Sequence, residues 1–134
     1  MNRLAAILAC LTLAACSAAP SQETLVVEND VPFTLAPGGA AAVKSTLANV
    51  RFVSVTEDSR CPRDTTCVWA GEVKVLFELG DAKPTRVELR EGESSALGQD
   101  RLILVGVEPQ PVSTARITPQ DYRVTLKLSK VPNE

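Results

Sequence analysis

Between Cys67 and Leu79 the chain alternates at period two, and that pattern limits the fold more than any other feature. Cys67, Trp69, Gly71, Val73, Val75, Phe77 and Leu79 fall on one face, with Glu72, Lys74 and Glu78 on the other. Successive strand residues point to opposite faces, so this is the pattern of a half-buried antiparallel strand. Asp121–Lys130 repeats it, with Tyr122, Val124, Leu126 and Leu128 opposed to Arg123, Thr125 and Lys127. Thr85, Val87 and Leu89 likewise alternate with Arg86, Glu88 and Arg90. No window sustains the 3.6-residue repeat of an amphipathic helix.

The remaining apolar segments fit the same class. Leu102–Val107 is apolar on both faces, as in a strand covered at both sides. Ala48–Glu57 is strand-like but slips phase, since Val50 and Phe52 share one face while Val53 and Val55 share the other. A bulge near Phe52 accounts for the slip. Leu25–Glu28 and Phe33–Leu35 read as weaker strands. Turns are expected at Ala36-Pro37-Gly38-Gly39, Gly80–Pro84 and Glu91-Gly92-Glu93. Pro109, Pro111 and Pro119 make the connection before the last strand irregular. The expectation is an all-β domain over 24–134, an antiparallel sandwich or small barrel of about seven strands. A chain of 134 residues suffices for one such core.

The N-terminus carries a different signal. Arg3 is followed by a run from Leu4 to Leu13 that is apolar except for Thr12, and then by Ala14, Ala15 and Cys16. A basic start, a short apolar stretch and small residues at a cleavage point make a secretory leader. The run is too short to span a bilayer, which takes about 20 apolar residues. Leu13-Ala14-Ala15-Cys16 resembles the lipobox of bacterial lipoproteins. The resemblance implies cleavage after Ala15 and acylation of Cys16, so that residues 1–15 leave with the leader and the membrane becomes a partner through lipid. The alternatives are an uncleaved anchor or a leader cut elsewhere. Ser17, where an aspartate would retain a lipoprotein at the inner membrane, implies the outer membrane in a Gram-negative organism. Residues 16–23 then form a short tether.

Charge narrows the partners. The chain carries 14 Lys and Arg against 16 Asp and Glu. Losing Arg3 with the leader makes the balance about −3, which argues against nucleic acid, since phosphate binding needs a basic surface.

The distinctive internal segment is Glu57–Glu72. Cys61 and Cys67 are the only cysteines beyond Cys16. In an exported chain such an isolated pair reads as a disulfide. Redox catalysis would want two intervening residues opening a helix, and zinc would want four Cys or His ligands in a chain without histidine. The strand phase predicts Cys67 and Trp69 buried at the base of the loop. Arg60, Arg63, Asp64, Thr65 and Thr66 are the candidate contact residues in water. Arg60 and Arg63 can bind an anionic group or pair with Asp58 and Asp64 beside them, and pairing is the reading preferred here. Glu57, Asp58, Asp64 and Glu72 offer oxygen ligands to calcium, but their spacing matches no calcium loop, so no metal and no cofactor are expected.

Asp58-Ser59-Arg60-Cys61-Pro62, Cys67 and Trp69-Ala70-Gly71-Glu72 together resemble a segment shared by a small group of bacterial lipoproteins. That resemblance implies membership without an activity. Lacking histidine and free thiols, the chain offers little for general acid–base or nucleophilic chemistry. The expected role is a non-enzymatic binding module that meets an envelope protein or polymer. The alternatives are an accessory structural subunit of an envelope assembly and a hydrolase of unrecognised type.

Overall fold

The period-two runs become strands in a computed structural model that describes residues 24–46 and 48–132. The leader, Cys16 and the tether lie outside the described residues. Nine strands are found among the described residues: β1 (Leu25–Val27), β2 (Phe33–Leu35), β3 (Ala40–Val43), β4 (Asn49–Asp58), β5 (Val73–Leu79), β6 (Thr85–Arg90), β7 (Ser94–Leu97), β8 (Asp100–Glu108) and β9 (Arg123–Lys130). A single 3-10 turn, Pro119–Asp121, precedes β9.

The strands form two sheets, ordered β1-β3-β4-β5-β6 and β2-β9-β8-β7. Their inner faces meet in one cluster, so the domain is a sandwich rather than a closed barrel. Phe52, Phe77, Leu102, Leu104, Leu126 and Leu128 are fully buried there. Each such side chain contributes about 1.5–3 kcal/mol on leaving water. Phe52 sits opposite Phe77 on paired strands, with ring centroids 6.0 Å apart.

Three strands obey their sequence phase. In β9, Val124, Leu126 and Leu128 are buried and flank outward Arg123, Thr125 and Lys127. In β5 the buried set is Val73, Val75, Phe77 and Leu79. In β6, Val87 and Leu89 turn inward. The slip foreseen in β4 is real. Its register against β5 shifts between Phe52 and Ser54 and again between Val55 and Glu57.

Other expectations change. The segment Leu102–Val107 is not covered on both faces. A register shift between Leu104 and Gly106 keeps Leu102, Leu104 and Val107 inside, and leaves Val105 47% exposed. β3 and β7 had no sequence signal. One strand pair, β1 with β3, is parallel, with Leu25 opposite Ala41 and Val27 opposite Val43. The alternation read from Cys67 begins as a strand only at Val73.

Candidate functional site

The loop 59–72 rises from the ends of β4 and β5 and continues their pairing for a short distance. Ser59 N donates to Glu72 O at 2.8 Å, and Cys61 N donates to Ala70 O at 2.9 Å. Gly71 lies between these rungs at φ +69°, and a Cβ built there would stand 1.8 Å from Ser59 O. Only glycine fits both the backbone angle and the close approach. Cys61 and Cys67 form the expected disulfide, with Cα atoms 5.9 Å apart.

A charged clamp sits at the loop's base. Arg60 Nε and Nη2 donate to the two oxygens of Asp58 at 2.8 and 2.7 Å. Tyr122 Oη donates to Asp58 Oδ2 at 2.9 Å. Arg60 also reaches the opposite sheet, donating to Val107 O at 2.8 Å and Pro109 O at 3.1 Å. The Arg60 and Asp58 side chains are only 9% and 12% exposed. Such forked pairs combine charge with fixed geometry. Burial works against ionisation of Asp58, but hydrogen bonds from Arg60 and Tyr122 and the Arg60 charge hold its carboxyl below the ordinary value. Arg60 is raised in turn, first by its bonds to Asp58. Burial, then the bond to Asp58, pushes the Tyr122 phenol up to about 12.

The loop's far side is latched as well. Arg63 N donates to Pro111 O at 3.0 Å. Ser113 donates to Asp64 through its backbone N, at 2.9 Å, and through its hydroxyl. The same contacts, hydroxyl first, lower the Asp64 carboxyl below its ordinary value. Thr65 Oγ1 donates to Pro62 O at 3.2 Å.

The candidate contact residues divide accordingly. Arg63, Asp64, Thr65 and Thr66 are exposed, as expected. Arg60 is a brace, paired with Asp58 as foreseen. Asp64 instead serves Ser113, and no carboxylate lies within ion-pair distance of Arg63 among the described residues. The four acids do not converge. Glu57 and Glu72 both hold Lys74, at 2.8 and 3.1 Å, while Asp58 and Asp64 have the partners described above. Among the described residues no three Cys, Asp or Glu side chains gather as metal ligands.

The main correction concerns the loop's return. Cys67 is exposed, and Trp69 is 82% exposed beside Val68 at 91%. The positive φ at Gly71 breaks the two-residue parity, so phase carried back from Val73 fails beyond it. Sequence reasoning missed Val68, Ser113 and the Tyr122 hydroxyl. The glycine after Trp69-Ala70 was the available signal for a broken strand. The loop therefore presents Val68 and Trp69, the Arg63 guanidinium and the Thr66 hydroxyl on a braced frame. Comparison with protein-family models, with curated proteins and with solved structures finds no match.

Proposed function

We propose that this chain is a lipid-anchored cell-envelope protein whose β domain is a non-enzymatic binding module, with the disulfide-closed loop as its contact surface. The observation that carries the reading is the exposure of Val68 and Trp69 on a loop held by backbone rungs, a disulfide and a buried ion pair. A large aromatic held in water forgoes roughly 2 kcal/mol of burial. A fold that fixes it there has a surface prepared for contact, because ordering costs at binding are already met. Tryptophan and arginine are the side chains that most often dominate such contacts, and the loop exposes both Trp69 and Arg63. Anchoring rests on the lipobox resemblance at Cys16.

Two experiments test the reading. Cys16→Ser should move the protein from the membrane fraction to the soluble envelope fraction, and an unchanged membrane fraction would overturn the anchor. A photo-crosslinking residue at position 63 should give a discrete adduct in intact cells, with none from a control probe at Lys127 on β9. The adduct's mass assigns the partner as protein, polymer or lipid. Folded, lipidated protein that gives no adduct from position 63 would reduce the loop to a structural staple.

A further inference from the structure

We propose that the partner of the apolar pair is the bilayer itself: Val68 and Trp69 seat in the membrane interface, with Arg63 turned to lipid phosphates. This inference rests on the anchored reading above and names what the loop touches.

The direction of chain entry supports it. Leu25 pairs with Ala41, and Ala41 with Val50, so β1 begins at the level of Val50 on β4. β1 runs parallel to β3 and opposite to β4. The chain therefore enters β1 from the side on which β4 ends, and that side carries the loop. From Val50 to Asp58 is about 26 Å at 3.3 Å per residue. The nine steps from Cys16 to Leu25 span at most about 30 Å. A fully extended tether thus brings an acylated Cys16 level with Asp58, at the base of the loop and on the side of the domain that carries it.

The chemistry of the loop fits that surface. Tryptophan favours the membrane–water interface, where its ring is shielded and its N–H stays hydrated. Val68, next to it in sequence, adds exposed apolar area. Arg63 has no carboxylate partner among the described residues, and its planar fork matches phosphate. Acyl chains on Cys16 would hold the chain at the bilayer. A seated loop would also fix the domain's orientation, which lipid alone does not.

Trp69 is the only tryptophan, so its fluorescence reports on the loop alone. The full lipidated protein is reconstituted in vesicles of phosphatidylethanolamine and phosphatidylglycerol, with and without brominated acyl chains. Seating predicts blue-shifted emission, quenching by bromine and loss of accessibility to acrylamide. Val68→Asp, at a fully exposed position, should abolish the quenching while the protein still floats with the vesicles. Flotation with Trp69 unquenched and open to acrylamide overturns the seating and leaves the loop free for a protein or polymer. Quenching that survives Val68→Asp overturns it also. Protein that does not float overturns the anchor and the seating together.

Discussion

Gly71 shows how one residue sets the site. Gly71→Ala adds a Cβ where Ser59 O already stands, at a backbone angle that costs an L-residue about 1–2 kcal/mol. The clash forces the rungs at Ser59 and Cys61 apart. The expected loss is about 2 kcal/mol or more in denaturant unfolding, with faster hydrogen exchange at Ser59 N and Cys61 N. The same glycine explains why Trp69 was misplaced by phase. Parity holds along β5 from Val73 to Leu79 and is lost at the first residue with positive φ. Tyr122 offers a second test, since it is the only tyrosine and its absorbance is unambiguous. Its phenol titrates near 12 when folded, against about 10 in an unfolded chain. The folded state keeps the proton where the unfolded state has released it. This stabilisation is complete below pH about 10 and disappears as pH rises toward 12. The native tyrosinate transition should centre near 12. Asp58→Asn should bring it down without returning it to the unfolded value, because burial remains. A native midpoint unmoved by Asp58→Asn would show that the carboxylate does not reach the phenol.

Elements were legible in proportion to their alternation. β5, β6 and β9 each set apolar residues against charged ones, so one face declares itself. β3 reads Ala40-Ala41-Ala42-Val43 and β7 reads Ser94-Ser95-Ala96-Leu97, where small side chains give no contrast between faces. Their strand state comes from neighbours: β3 lies between β1 and β4, and β7 completes an edge against β8. The parallel pairing of β1 with β3 has no local signal either, because it depends on which strand edge is left open. The disulfide was legible from an isolated cysteine pair, whereas its placement outside the core was not. That placement predicts a limited role. Closing so short a loop contributes about 2 kcal/mol in the chain-entropy account. Cys61→Ser with Cys67→Ser should therefore lower the unfolding free energy by about that amount or less, because backbone rungs, Arg60 and Asp64 already hold the loop. The sheets should stay intact, with native circular dichroism at low temperature. Loss of the sandwich on reduction would mean that the loop directs folding rather than decorating it.

Each end of the sandwich is closed by a carboxylate that ties one sheet to the other. At the loop end Asp58 on β4 receives Tyr122 from the approach to β9, and Arg60 crosses to the carbonyls of Val107 and Pro109 after bonding Asp58. At the far end Asp100, only 3% exposed at the start of β8, accepts Asn29 Nδ2 at 2.7 Å and Ser45 Oγ at 2.6 Å. Asn29 follows β1 and Ser45 follows β3, so the second clasp draws two turns of one sheet onto a strand of the other. β8 connects the two regions, and the seven steps from Asp100 to Val107 separate them by about 23 Å. Removing Asp58 leaves a mostly buried guanidinium without its counter-charge, a loss of about 3 kcal/mol. Removing Asp100 forfeits the bonds from Asn29 and Ser45, whose donors can turn to water, a loss of about 1–2 kcal/mol. Groups this far apart with no shared partner contribute independently, to within about 0.5 kcal/mol. Asp58→Ala and Asp100→Ala should therefore add in the double variant, as long as the single variants unfold in one transition. Only the loop-end variant should alter Trp69 fluorescence below its transition, because only that clasp braces the loop. A double variant markedly more stable than the sum would mean that the two ends communicate through the core. A change in Trp69 emission from Asp100→Ala alone would carry the same meaning for the site.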